Sequence, residues 1–193
     1  RYAVGMDFGL RTFLTLSDGT KIESPQFFMK GIKEIRKASK ELSRKEEGSN
    51  GYVKALKALY RRHEHIANCR RDWFFKLAHE LCSAYSVIVI EDLNIKGMAR
   101  LWGRKVNDYA YSEFVRILEW IALKHGTIIE RVDRFYPSSQ VCSRCGALNH
   151  DMKDLRKRTF RCGACSLEID RDLNAAVNLK NEGLRKIKDL SAV

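Results

Sequence analysis

The chain has 193 residues, of which 45% are hydrophobic and only 2 are proline, so it can bury a sizeable core and is not a disordered segment. Its 36 Lys and Arg against 24 Asp and Glu leave a formal net charge of +12, which points to a polyanionic partner through counterion release. No apolar run approaches the ~20 residues of a membrane span and no signal-peptide pattern opens the chain, so the expectation is a cytoplasmic protein with no membrane partner.

Arg1 leads without Met directly into a strand-like segment, which suggests an excised or processed piece of a longer protein. The first predicted strand is Tyr2–Phe8, broken at Gly9. Residues 12–16 and 20–23 follow as a hairpin around Ser17, Asp18 and Gly19. Residues 28–47 read as a charged helix, and Gly48, Ser49, Asn50 and Gly51 as a turn. A longer helix is predicted over 53–84, with Val53, Leu56, Leu59/Tyr60, His63, Ile66/Ala67, Phe74, Leu77/Ala78 and Leu81 forming one buried stripe. Its opposite face carries Lys54, Lys57, Arg61, Arg62, Arg70 and Arg71.

Residues 87–92, VIVIED, are the central stretch: an apolar run of this kind reads as a strand buried on both faces, ending in Glu91 and Asp92. A basic loop over 94–107 contains Lys96, Arg100, Arg104 and Lys105, and its Trp102 is a candidate base-stacking residue. Ser112 can cap a helix running to His125, with Phe114, Ile117, Leu118, Ile121 and Ala122 inward and Gly126 at its end. A fifth strand covers 127–132. Residues 137–169 then turn rich in Cys, Arg, Lys and Gly and read as a small appendage. A last helix over 173–188, opened by Asp170 or Asp172, places Leu173, Ala176, Val177 and Leu184 inward. Trp73 and Trp120 are expected in the core.

Cys142-x2-Cys145 and Cys162-x2-Cys165 have the paired-knuckle spacing with which four thiolates close a tetrahedron around one structural Zn2+. Two disulfides would use the same residues, but a basic cytosolic chain keeps its thiols reduced. Cys69 and Cys82 read as packing residues. His63 and His79 are expected to pack on the long helix, and His65, His125 and His150 show no ligand spacing that outweighs a packing or surface role. Acids at the ends of three distant segments are the other cluster: Asp7, Glu91, and Asp170 or Asp172. Convergent carboxylates without thiols suit two divalent cations about 4 Å apart clamping a phosphate.

The motifs VGMDFGLRTFLTLSDG, VIVIEDLNIKGM, DRFYPSSQVCSRCG, CGAC and DRDLNAAVNL follow one another as in the TnpB family of transposon-associated, RNA-guided nucleases, relatives of type V CRISPR effectors. The resemblance covers nearly the whole chain and corresponds to the C-terminal half of a full-length member. It implies an α/β fold: an RNase H-like, RuvC-type mixed five-stranded sheet with flanking helices and an inserted zinc ribbon. The division it implies is a nuclease core over 1–135, a zinc ribbon over 136–169, and a return to the core with the final helix over 170–193. By motif, Asp7, Glu91 and Asp172 match the catalytic, Mg2+-binding acids, and Cys142, Cys145, Cys162 and Cys165 match the zinc ligands. Asp92 is expected to brace the following loop, and Ser138 and Ser139 to be turn residues near the site. Tyr111 stands where Trp is usual, and Ser166 follows the last Cys where Gly is common.

The implied function is two-metal hydrolysis of DNA phosphodiester bonds, on single-stranded or unwound DNA, directed by a guide RNA held largely by the absent N-terminal region. The implied cofactors are two Mg2+ or Mn2+ ions and one Zn2+, and the protein would act at the nucleoid. Arg61, Arg62, Arg70, Arg71, Lys96, Arg100, Arg104 and Lys105 are candidates for a phosphate track, with Arg156, Lys157 and Arg158 as a possible addition on the ribbon. The alternatives are a catalytically silent RNA-guided regulator, which should have lost an acid, and a purely structural nucleic-acid-holding ribbon module. A sugar-kinase or actin-like ATPase would share DFGLRT but needs a second glycine-rich loop, and none is found.

Overall fold

The computed structural model describes residues 2–9, 12–92, 110–154 and 156–191; Lys96, Arg100, Trp102, Arg104 and Lys105 of the predicted basic loop lie outside the described residues. Its centre is a five-stranded mixed sheet in the order β3-β2-β1-β4-β5, built from β1 (Tyr2–Phe8), β2 (Leu14–Leu16), β3 (Lys21–Ile22), β4 (Tyr85–Glu91) and β5 (Ile128–Val132). β1 pairs antiparallel with β2 and parallel with β4, which pairs parallel with β5. As predicted, β4 is covered on both faces, with Ile88, Val89 and Ile90 fully buried. Each such side chain contributes roughly 1.5–3 kcal/mol.

One face carries α1 (Phe27–Leu42), α2 (Asn50–Ala84) and α3 (Tyr111–His125). Val4, Met6 and Phe8 of β1 and Ile88 and Ile90 of β4 point into this layer, against Phe74, Leu77, Leu81, Phe114, Leu118 and Ile121. Tyr111, in the position expected for Trp, is fully buried there and donates its hydroxyl proton to the Gly9 carbonyl. The five inward residues predicted for α3 are all buried, but Ser112 is not its cap. Ala110 takes that place, with φ of 44° and no side-chain hydrogen bond.

The long helix departs from the predicted stripe. Burial on α2 begins only at Ile66 and continues through Phe74, Leu77, Ala78, Leu81 and Cys82, whereas Val53, Tyr60 and His63 are exposed. Length explains this. At about 1.5 Å per residue α2 is roughly 50 Å long, while the strand it leads into spans roughly 23 Å, so the first half of α2 overhangs the carboxyl end of β4. Among the described residues α1 covers the overhang, approaching at Gly31, where a Cβ would lie 2.5 Å from Ile66 Cδ1, and pairing Glu34 with Arg62 at 3.0 Å. His79 is likewise exposed, its Nδ1 3.1 Å from His125 Nε2, and Trp120 is 48% exposed under the Lys124 ammonium. Trp73 packs against the core as expected.

The other face is covered by α4 (Arg171–Ser191), which runs antiparallel to β1. Two glycines let it lie directly on the sheet. A Cβ at Gly5 would stand 2.0 Å from the Ala176 carbonyl oxygen, and one at Gly183 2.5 Å from Val89 Cγ1. Gly5→Ala therefore has to displace the helix backbone and should cost about 3 kcal/mol or more. Thermal or urea unfolding measures this, and a variant as stable as its parent would place α4 further from β1. Of the residues predicted inward on α4, only Ala176 is buried; Leu173, Val177 and Leu184 are half-buried, and the covered positions are Arg171, Asn174, Ala175, Ala176, Asn178, Leu179 and Gly183.

The cysteine-rich segment forms a separate two-stranded sheet, β6 (Thr159–Arg161) with β7 (Glu168–Asp170), beside a Val141–Leu148 bridge and a short 3-10 turn (His150–Lys153). Its own small core contains Met152 and Phe160. Among the described residues no helix is long and apolar enough to cross a membrane.

Candidate active site and cysteine cluster

Side chains alternate along a strand, so Gly5, Asp7 and Gly9 of the β1 segment share the face that carries α4. Gly5 lies against Ala176. Two residues along the strand and one turn back along the antiparallel helix cover similar distances, roughly 6.6 and 5.4 Å, which brings Asp7 level with Asp172. A Cβ on Gly9 would indeed lie 3.9 Å from Asp172 Oδ2. Met6 pairs with Ile90 across the parallel ladder, so Glu91 follows beside Asp7 at the carboxyl end of β4. Carboxyl ends of strands are where open α/β sheets present their ligands.

The three acids line one cleft of about 450 Å³, together with Arg134, Tyr136, Ser138, Ser139, Arg158 and Arg171. Burial, followed by the negative charges of Asp172 and Glu91, pushes the Asp7 carboxyl up to about 8, against the pull of Arg171. Burial and then Asp92 push Glu91 up to about 7. Burial thus disfavours the charged forms of both acids, and a cation bound between them would favour those forms again.

Neighbouring residues sort into clear tasks. Asp170 caps α4: its Oδ1 accepts from the backbone N–H of Asp172 and Leu173, both at 3.0 Å, and its Oδ2 meets Lys21 Nζ at 2.9 Å. Asp92 is held by Arg134, and by Arg131 at 3.7 Å, while its N–H donates to the Val132 carbonyl at 2.9 Å. It therefore ties the end of β4 to β5. Ser138 offers its carbonyl to Asn178, and Ser139 Oγ lies 3.5 Å from Arg171 Nη2.

The four α2 arginines do not line this cleft. Arg61 and Arg62 stand exposed on the overhang, and Arg62 pairs with Glu34. Arg70 and Arg71 both bind Glu113 of α3, at 3.2 and 3.1 Å, which ties the two helices together. The cations that do reach the acids are Arg158, whose Nη1 is 3.8 Å from Asp172 Oδ1, and Arg171, which is 8% exposed. The sequence motifs place Arg158 only on a ribbon patch and assign Arg171 no task. The motifs likewise assign no task to Arg134, Asn174 and Asn178, although DRDLNAAVNL places Arg171, Asn174 and Asn178 at i, i+3 and i+7 on one helix face.

The four knuckle cysteines form one cluster, all ligand atoms within 4.8 Å of one another. The Cys142–Cys165 and Cys145–Cys162 sulfur pairs are each 3.6 Å apart. Thiolates at about 2.3 Å from a tetrahedral zinc would be about 3.8 Å apart, so the cluster fits a zinc ion. Backbone N–H groups of Cys165 and Ala164 favour the Cys162 thiolate, the form a metal requires, while the neighbouring sulfurs hold Cys165 and Cys145 above the ordinary thiol range in the metal-free cluster. Ser166 keeps the left-handed turn at φ of 56° that Gly146 makes at φ of 78° in the first knuckle, so the missing glycine has not changed the turn. Cys82 is buried beside Thr127, and Cys69 is half-buried near His65.

The chain has relatives among known proteins. The family model OrfB_IS605, described as "Probable transposase", matches residues 1–101, and the model "Cas12f1-like, TNB domain" matches residues 111–179. A Streptomyces pristinaespiralis protein named "Putative RNA-guided DNA endonuclease" is 34% identical over 94% of this chain and 45% of its own length. "Putative RNA-guided DNA endonuclease InsQ" of Escherichia coli K12 is 32% identical over 93% of this chain and 48% of its own. The chain thus spans about half the length of these relatives. In fold it resembles the protein of a Cas12f1–sgRNA–target DNA complex, with a TM-score of 0.66 and 20% identity over 92% of this chain and 49% of that one. With more than half of its residues matched by the family model, the chain belongs to the TnpB family, the OrfB_IS605 group.

Proposed function

We propose that this chain is the nuclease portion of an RNA-guided DNA endonuclease, with an RNase H-like core, an inserted zinc ribbon at 136–169 and the third acidic motif at the start of the final helix. The observation that carries the reading is the convergence of Asp7, Glu91 and Asp172, from three distant segments, on one charged cleft. Three carboxylates with no sulfur or imidazole among them suit hard divalent cations such as Mg2+ or Mn2+. Two such ions would activate the attacking water and stabilise the leaving oxygen of the phosphodiester.

The chain's own groups do the rest. Asp7 and Glu91 lose their protons to become ligands. Arg158 enters the cleft from the ribbon, close enough to Asp172 to meet a phosphate brought to that carboxylate. Arg61 and Arg62, on the overhang at the carboxyl end of β4, remain candidates for the track along which the DNA or guide RNA lies. Guide RNA would be held largely by residues outside this chain. Both the relatives' names and the structural likeness to a Cas12f1–sgRNA–target DNA complex support these partners. All three acids are present, which favours the nuclease over a silent binder.

The raised carboxyls give a pH signature. Asp7 and Glu91 hold their protons to about 8 and about 7 in the fold, against ordinary values of 3.8 and 4.5. In metal-free protein this contributes stability that is fully present below about pH 4 and lost as pH rises through about 7 to 8. Cations compete with those protons, so their stabilising effect should run the other way. The increase in Tm on adding Mn2+ is expected to be larger at about pH 8.5 than at about pH 5.5. Equal increases at both would contradict metal binding at these acids.

The reading is tested by incubating end-labelled single-stranded DNA with this chain, and with the full-length protein and its guide RNA, in Mg2+, Mn2+ or EDTA. Metal-dependent cutting is expected. A full-length, guide-loaded protein that binds its target and never cuts would establish the silent-binder reading instead.

A further inference from the structure

Seven buried polar or charged side chains are found among the described residues, and three of them lie on one face of α4: Arg171, Asn174 and Asn178, spaced i, i+3 and i+7. They are 8%, 0% and 3% exposed and face away from the sheet, which α4 meets instead through Ala175, Ala176, Leu179 and Gly183. Burying such groups is costly unless each is hydrogen-bonded. Every one of them is bonded to the cysteine-bearing segment or its lead-in.

Asn174 Oδ1 accepts from the Ser143 N–H at 3.0 Å, inside the first knuckle, and its Nδ2 donates to the Val141 carbonyl at 2.8 Å. Asn178 Nδ2 donates to the carbonyls of Ser138 and Val141, both at 2.7 Å. The Arg171 guanidinium reaches the carbonyls of Asp154 at 3.3 Å and Lys157 at 3.4 Å, and its backbone N–H donates to the Arg158 carbonyl at 2.8 Å. The first knuckle and the loop that leads into β6 are therefore fastened to the helix that carries Asp172. The loop fixed by Arg171 is also the one that sends Arg158 to 3.8 Å from Asp172.

We propose that Asn174 and Asn178, with Arg171, are positioning residues that couple the metal held by the four cysteines to the divalent-cation centre at Asp7, Glu91 and Asp172. The inference rests on reading the acidic cleft as a metal centre. An ordered first knuckle fixes the height and rotation of α4 on the sheet, and so sets where Asp172 stands relative to Asp7 and Glu91. When the knuckle loosens, α4 keeps its apolar contacts but loses the bonds that define its first two turns. Coupling of this kind is reciprocal: zinc tightens the divalent site, and an occupied divalent site slows zinc release.

The test compares Mn2+ binding, read from the EPR signal of free Mn2+, in zinc-loaded and zinc-stripped wild-type chain and in Asn174→Ala and Asn178→Ala. Zinc-loaded wild type is expected to bind Mn2+ about tenfold tighter than stripped protein. The variants, folded by circular dichroism and still holding zinc, should bind as weakly as stripped wild type and respond little to zinc removal. In DNA cleavage their loss should appear in the Mn2+ concentration needed, with the maximal rate mostly recovered at high Mn2+. Equal Mn2+ affinity with and without zinc in wild type would overturn the coupling even if the variants failed to fold. Zinc-sensitive Mn2+ binding by the chain, with no target cutting by the full-length, guide-loaded protein, would overturn the nuclease reading and leave the coupling standing. No Mn2+ binding by zinc-loaded wild type would overturn both.

Discussion

Replacing Asp7 or Glu91 by its amide is expected to lower metal-dependent DNA cleavage by about 10³-fold or more, roughly 4 kcal/mol or more at the transition state. The amide keeps the size of the carboxyl and removes the anionic oxygen a hard cation needs. Asp7→Asn carries a second, opposite signature. Asp7 is the acid pushed furthest, to about 8, by burial and by its neighbours Asp172 and Glu91. At about pH 8.5 without metal the variant should therefore melt above its parent, because an unfavourable buried charge is gone. Adding Mn2+ should reverse the order, stabilising the parent and leaving the variant nearly unchanged. A variant both less stable without metal and still active would show that Asp7 is a packing residue. Cleavage rates and metal-dependent melting curves at that pH decide between these.

The second large effect concerns the cysteine cluster. Among the described residues the small core of this segment is Met152, Phe160, Cys142 and Cys162, edged by Ala147, Cys165, Leu167 and Ile169, and its sheet has two short strands. Such a unit buries too little to stand alone, and structural zinc supplies about 10–16 kcal/mol of apparent binding free energy in comparable small domains. Purified chain is expected to carry one zinc. Strong chelation, or Cys162→Ser, should release it and open residues 137–169 to proteolysis while the five-stranded sheet survives. Zinc content, limited proteolysis and amide exchange measure this. A segment that stays protected after complete removal of metal would show that packing alone holds it.

How much of this could be read from the sequence depended on what each segment is asked to bury. β4 is legible because both its faces are covered and its side chains are branched and apolar, and β1 because Val4, Met6 and Phe8 alternate towards the aromatic layer. The cysteine pairs were legible because a tetrahedral site restricts spacing directly. Periodicity carries the α2 stripe on to Val53, Tyr60 and His63, which are exposed, because it reports an apolar face without saying how deep the layer beneath it is. Only the comparison of a 35-residue helix with a seven-residue strand shows the overhang. On α4 the error was of another kind. Leu173, Val177 and Leu184 look like the inward face, yet the helix lies on the sheet through alanine and glycine and meets the knuckle through arginine and asparagine. Close backbone approach and buried amides have almost no hydropathy signal.

The acids were found by motif, and the geometry adds why their positions matter. Asp170 and Asp172 are two residues apart, but one caps the helix while the other lines the cleft. Arg158 shows the reverse case: a residue of the cysteine-rich segment, remote in sequence from β1 and β4, reaches the centre of the site because Arg171 holds its loop against α4.

The central claim is that Asp7, Glu91 and Asp172 form one divalent-metal centre. Crystals of the chain soaked in Mn2+ at about pH 8, with anomalous scattering collected at the manganese edge, test it most directly. The expected result is anomalous density coordinated by oxygens of all three carboxylates and absent from an Asp7→Asn crystal treated identically. Density confined to other sites at saturating Mn2+, with the cleft empty, would contradict the claim.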